Sequence, residues 1–268
     1  YIENFFHHDD FQSIISTDSI YTEPFANDDA MFNTLFQMGY KIIDFPGCIT
    51  SPKEYIKWHK DKKLSTKTNT SCESFGLTLR LMSPQSELLR ELKTFIESQS
   101  FTESLAERFN INLNEVKADN GIQKYLDGYE ISPHPDVRKK ALTYMVNINP
   151  HNNSDELFHH THYLKFKDQY KYIENFWDGN PSIERCWVPW SWCDSKFLQN
   201  KNNSLLMFSP SSSTIHAVKA NYNHLHGQRT QLYGNLWYAQ SNSLQKLEWE
   251  NLQITKTRTN NFNSSAIS

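Results

Sequence analysis

Along the first 110 or so positions, apolar residues recur at helical spacing. Met31, Phe32, Leu35 and Phe36 form one stripe, with Asn27, Asp28 and Asp29 placed to cap it and Gly39 to stop it. Ser51-Pro52-Lys53-Glu54 is a capping box with proline at the first helical position. Ser83-Pro84 opens another helix, on which Leu88, Leu89, Leu92, Phe95 and Ile96 share a face. Ser100 and Glu103 frame a shorter one, with Leu105 and Phe109 inward. From about residue 119 the period changes to two. In 141–149, Leu142, Tyr144, Val146 and Ile148 alternate with Thr143, Met145, Asn147 and Asn149. Positions 203–208 and 213–220 are short strand-like runs around a Pro210 turn. In 229–239, Arg229, Gln231, Tyr233, Asn235 and Trp237 fall on one face. Helices grouped ahead of short strands predict an α+β protein, a mainly antiparallel β core buttressed by N-terminal helices. The stretch from 150 to 200, rich in His, Tyr and Trp, reads as a long irregular segment of the kind that forms lids.

The expected organisation is a single domain over 1–242, with helical support in 1–118 and the β core in 119–242. A C-terminal extension, 243–268, reads as a frayed tail. With 268 residues the chain is long enough for one large core. Lys and Arg total 27 against 30 Asp and Glu, so no net basic field points to nucleic acid or anionic lipid. No apolar run has the roughly 18 residues of a membrane span. The first residues show no basic, then apolar, signal pattern. Four cysteines without a CxxC pair read as reduced thiols, and with these absences the expected location is the cytoplasm. The sequence predicts a small-molecule or peptidyl partner, neither nucleic acid nor membrane, and leaves the oligomeric state open.

Three features carry chemistry. His134-Pro135-Asp136 places an imidazole and a carboxylate at alternate positions of an extended segment, so both reach one ion. His216 lies in a later strand-like run and adds a second imidazole. Two histidines and one carboxylate form the facial triad that leaves open positions on non-haem Fe(II). Arg229 opens the next strand, where a guanidinium can grip the far carboxylate of a 2-oxo diacid bidentately.

The stretch YLDGYEISPHPDVRKKALTYMVNIN, followed by FSPSSSTIHAVKANYNHLHGQRTQLYGNLWY, resembles the Fe(II)/2-oxoglutarate-dependent dioxygenases, in particular their prolyl-hydroxylase-like branch. The resemblance covers residues 121 to 240 and rests on Tyr125, Gly128, His134, Asp136, Arg138, Asn149, His216 and Arg229, in that order. It implies a double-stranded β-helix (jelly roll), with Fe(II) on His134, Asp136 and His216 and 2-oxoglutarate reaching from the metal to Arg229. It implies O2-dependent hydroxylation of an aliphatic carbon, with 2-oxoglutarate decarboxylated to succinate. The first substrate guess is a prolyl-like peptide, and a small molecule or sugar the second. The presence of Asp136 favours hydroxylation over halogenation. Tyr125 is expected near the metal or co-substrate. Asn147 stands where the family often has a tyrosine that shares the far carboxylate, so its amide is the expected replacement. The family's Gly-Gly-x-Thr segment has no clear counterpart in the sequence.

The same residues admit other readings. A non-catalytic jelly-roll or cupin-like module with a structural metal is the alternative of a different class. A zinc hydrolase ranks last, because no HExxH-type helix motif is present. His159, His160 and His162 read as solvent-exposed histidines, and His224 and His226 as loop residues without a catalytic part. Trp177, Trp187, Trp190 and Trp192, with Tyr170, Tyr172 and Phe176, read mainly as packing, with a substrate platform as the alternative.

Overall fold

The computed structural model describes residues 1–21, 29–61, 71, 73–150, 154–156, 160–219 and 229–239. Residues Asn27, Cys72, His159, His224 and His226 and the segment 243–268 lie outside them. Among the described residues no helix is long and apolar enough to cross a membrane.

Strands β1 (Ile2–Glu3), β2 (Tyr40–Ile42), β3 (Thr78–Leu81), β4 (Val116–Tyr125), β5 (Ile131–His134) and β6 (Lys140–Asn147) come first along the chain. Then follow β7 (Thr161–Phe166), β8 (Cys193–Gln199), β9 (Ser204–Phe208), β10 (His216–Val218) and β11 (Arg229–Tyr238). They form a seven-stranded sheet in the order β1-β9-β6-β11-β4-β3-β2 and a four-stranded sheet in the order β5-β10-β7-β8. Every pairing is antiparallel. Across the last eight strands the first pairs with the last, the second with the seventh, the third with the sixth and the fourth with the fifth. That nesting is the double-stranded β-helix, or jelly roll.

The alternation in 141–149 and 229–239 decides which face is which. Leu142, Tyr144, Val146, Leu232 and Leu236 pack outward into one large apolar cluster with Phe32, Leu35, Tyr55, Leu89, Leu92 and Ile96 of the helices. Those helices are α1 (His8–Ile15), α2 (Asp29–Gln37), α3 (Pro52–Lys60), α4 (Glu87–Ile96) and α5 (Gln99–Arg108). Ser51 caps α3 as its capping box requires, its side chain accepting from Glu54 N. The other two starts are shifted from expectation: α4 is capped by Ser86 rather than opened by Ser83-Pro84, and α5 by Ser98 rather than Ser100. At Ser83 the backbone is tied to Gly39, whose carbonyl accepts from Met82 N and Ser83 N at 2.9 and 3.1 Å; Gly39 itself, at φ +97°, leaves no room for a Cβ against the Ser83 carbonyl. Phe95, assigned to the buried stripe of α4, is half exposed, and the stripe narrows to Leu89, Leu92 and Ile96.

Two further departures enlarge the sheets. Strands β2 and β3 sit in the half that reads as helical and extend the large sheet beyond β4. The 150–200 stretch is not irregular: it holds β7, helix α6 (Tyr172–Gly179) and β8. A second apolar cluster of Leu164, Phe166, Ile173, Val188, Cys193, Ile215 and Ala217 fastens α6 and its flanks to the outer face of the small sheet. Trp190 and Trp192 pack against that cluster, and Trp192 stacks on Tyr170 with centroids 4.7 Å apart, so these rings serve mainly as packing.

Candidate metal centre and anion subsite

Strands β5 and β10 pair with His134 directly opposite His216, so one sheet register places two imidazoles side by side, their centroids 4.3 Å apart. Each ring is oriented by its own strand. The Nδ1 of His134 donates to Ser132 O at 2.8 Å, and the Nδ1 of His216 to Thr214 O at 3.0 Å. A carbonyl only accepts, so both protons reside on Nδ1 and both Nε2 lone pairs are left for a ligand. Asp136 completes the group, though not through the extended segment expected. Past Pro135 the chain turns, and Asp136 adopts φ +74°, a left-handed conformation that Asp tolerates better than most residues. The turn brings its Oδ1 to 3.7 Å from His134 Nε2 and its Oδ2 to 3.7 Å from His216 Nε2. The three ligand atoms lie within 4.8 Å of one another and all three residues are buried. No other such group occurs among the described residues.

The carboxylate is itself held. Lys140 Nζ donates to Asp136 Oδ1 at 2.7 Å and to Tyr233 OH at 3.0 Å. Thr143 Oγ1 donates to Asp136 Oδ2 at 2.9 Å and lies 3.1 Å from Asn235 Oδ1. Burial opposes ionisation of Asp136, but Lys140, His216 and His134 outweigh it and hold the carboxyl well below the usual range. Burial likewise works against the Lys140 charge, and Asp136 overcomes it, raising the pKa above that of a free lysine. Burial, reinforced by His134, pushes His216 down to about 3 despite the opposing pull of Asp136. The His216 ring is therefore neutral at physiological pH, the state a metal requires.

His160 was expected at the surface and is fully buried; its Nε2 donates to Ser154 O at 2.6 Å, and burial pushes its pKa to about 4. Unfolded, both His160 and His216 would titrate near 6.5. Their folded values are lower, so the unfolded chain takes up protons first as pH falls. The stability these two rings contribute to the metal-free protein is then complete above about pH 6.5 and declines from there toward pH 3, by about 2 kcal/mol per histidine at pH 5. Thermal unfolding of chelator-treated protein at pH 7.5 and pH 5 checks this; an unchanged midpoint would mean that the rings do not resist protonation.

Arg229 is the first residue of β11, paired with Tyr125 of β4, and is almost completely buried. Its guanidinium lies 4.3 Å from the Tyr125 ring centroid and 5.9 Å from that of Tyr129. Its Nη1 donates to Thr161 Oγ1 at 3.2 Å. Thr161 stands at the start of β7, which brings that strand against the guanidinium. Tyr125 sits at the arginine rather than at the triad, and its hydroxyl donates to Gln123 Oε1. Strand β7 also measures the separation of the two subsites. Thr161 touches Arg229, while Tyr163, two residues on, pairs opposite His216. At the usual strand rise that is roughly 7 Å.

Asn147 does not take the missing tyrosine's place. Its Nδ2 donates to the carbonyls of Gln199 and Lys201, and its Oδ1 accepts from Gln231 Nε2, which leaves no donor for a ligand. Arg138 also faces away from the triad: it donates to the carbonyls of Ile183, Asn180 and Trp177 and stacks 3.7 Å over the Trp177 ring, tying α6 to the turn that carries Asp136. Sequence reasoning passed over Lys140, Thr143, Thr161 and Tyr129. Thr143 alone had a signal, since it alternates onto the face of Asn147 and Asn149.

No family model and no curated protein matches the chain. Among solved structures it is similar to a Pseudomonas putida prolyl-4-hydroxylase, with TM-score 0.39, 9% identity, and 88% of this chain and 90% of that one covered. It is similar to a Trichoplax adhaerens prolyl hydroxylase in complex with a hypoxia inducible factor oxygen degradation domain peptide, with TM-score 0.35, 13% identity, and 86% and 91% covered. It is also similar to EvdO2 from Micromonospora carbonacea var. aurantiaca complexed with 2-oxoglutarate, with TM-score 0.34, 10% identity, and 81% and 93% covered.

Proposed function

We propose that this protein is an Fe(II)/2-oxoglutarate-dependent dioxygenase that hydroxylates an aliphatic carbon, with His134, Asp136 and His216 as metal ligands and Arg229 as the anchor of the co-substrate. The observation that carries the reading is the convergence of two unprotonated imidazole nitrogens and one carboxylate within 4.8 Å. Borderline nitrogen and hard oxygen donors in a set of three suit Fe(II) and leave positions for other ligands. When bound, the metal and 2-oxoglutarate supply the oxidising power of the reaction.

The chain's own residues do the rest. Ser132 and Thr214 carbonyls fix both imidazoles in the Nδ1–H tautomer, so no proton has to leave a ring before ligation. Lys140 and Thr143 keep the Asp136 carboxylate ionised and oriented. Arg229, with Thr161 beside it, offers a buried charged fork roughly 7 Å along β7 from the histidine register, a distance a five-carbon diacid spans. The rings of Tyr125 and Tyr129 exclude water from that guanidinium and strengthen its hold on an anion.

The test is an anaerobic titration of metal-free protein with Fe(II) and then 2-oxoglutarate. A 2-oxo acid chelated to Fe(II) gives a weak visible band that neither gives alone. The band is expected to saturate at one equivalent of each. Folded protein that binds no Fe(II), or binds it without the band, would instead fit a jelly-roll module without this chemistry.

A further inference from the structure

Resting on that reading, we infer that the substrate carries an anionic group, a carboxylate near the carbon to be hydroxylated, received by Lys140 with Arg80 on the wall beside the triad. Lys140 reaches this wall because of a bulge. Leu236 pairs with Leu142 but Trp237 with Lys140, so the skipped residue turns Lys140 onto the face that carries Tyr233 and Trp237. Its ammonium has three donors; Asp136 and Tyr233 take two, and the ring of Trp237 lies 5.4 Å away. Next to Tyr233 in the sheet is Gly121. The missing side chain makes room for Arg80, whose Cδ and Nε lie 3.0 and 3.1 Å from where a Cβ would stand. Arg80 grips Asp119 through Nη1 at 2.6 Å, while its buried Nε has no hydrogen-bond partner. The register puts the three cations on one face of the large sheet: Arg80 lies over Gly121, Gly121 pairs with Tyr233, Lys140 donates to Tyr233, and Arg229 stands four residues before Tyr233 on β11.

The charge balance points the same way. Three cations, Arg80, Lys140 and Arg229, face two carboxylates, Asp119 and Asp136. A divalent metal and a dianionic co-substrate cancel each other, so the loaded site keeps one positive charge. In a partly buried site of reduced dielectric that excess favours an anion over its neutral isostere.

The experiment uses N-acetyl amino acids (proline, leucine, phenylalanine) and their carboxamides as matched probes. Each is added anaerobically to protein saturated with Fe(II) and 2-oxoglutarate, and binding is read from a shift of the visible band and from the thermal unfolding midpoint. The acids are expected to bind at least about tenfold more tightly than the amides, with the band shifted but retained. The preference should vanish in Lys140→Gln, return in Lys140→Arg and shrink in Arg80→Gln. Arg80 pairs with Asp119 and not with Asp136, so Arg80→Gln should keep the band, and the reduced acid preference is read there with the metal ligands undisturbed. Equal binding of acids and amides, no binding of any acid, or loss of the band through displacement of 2-oxoglutarate overturns the inference while leaving the dioxygenase reading intact. Failure of the band in unsubstituted protein overturns both.

Discussion

His216→Ala should abolish the charge-transfer band and lower Fe(II) affinity by more than the 10–100-fold that follows loss of a residue merely supporting a ligand. The substitution leaves His134 and Asp136, a two-ligand site whose carboxylate is already held by Lys140 and Thr143. With the second imidazole gone, Lys140 becomes an effective competitor for Asp136 against the metal. Folding is a separate matter. His216 packs against Phe208, centroids 4.9 Å apart, as well as against His134, so its removal opens a small gap. It also relieves the cost of keeping a buried imidazole neutral, most of all at low pH. The metal-free variant should therefore unfold at a midpoint close to the unsubstituted protein at pH 7.5 and above it at pH 5. A variant that folds yet still forms the band would remove His216 from the ligand set.

Arg229→Lys should weaken 2-oxoglutarate about 100-fold while leaving Fe(II) affinity within a few-fold, both read from the same titration. A charged, two-pronged hydrogen bond is worth about 1.5–3 kcal/mol per bond, and lysine retains the charge but not the fork. The shorter ammonium also loses the flat contact over Tyr125. Arg229 bonds to Thr161 and lies over the Tyr125 ring, whereas the ligand side chains are held by Ser132, Thr214, Lys140 and Thr143, which is why the metal should be indifferent. An equal fall in both affinities would place Arg229 in the architecture of the metal centre instead of the anion subsite.

The sequence was a good guide wherever a residue's role depends on its chemical type and on strand alternation. Two histidines and a carboxylate in the right order, an arginine opening a strand, and period-two segments at 141–149 and 229–239 all came together in the jelly roll. It was a poor guide where local pattern was masked. Strand β7 looked irregular because Thr161 and Tyr163 face the polar interior, which spoils the apolar alternation. Strand β8 is an exposed edge with little apolar burial. Asn147 alternates onto the interior face as expected, but only the packed neighbours Gln199, Lys201 and Gln231 show that its amide is already used.

What the sequence determined by itself was the set of chemical parts and the two kinds of secondary structure, because donor type and hydrophobic period are local properties. The tertiary structure decided orientation. A single bulge between β6 and β11 turned Lys140 inward, a positive φ at Asp136 swung the carboxylate between two imidazoles, and three backbone carbonyls drew Arg138 away. Each of these depends on contacts between residues distant in the chain, where a shift of one residue exchanges the two faces of a strand.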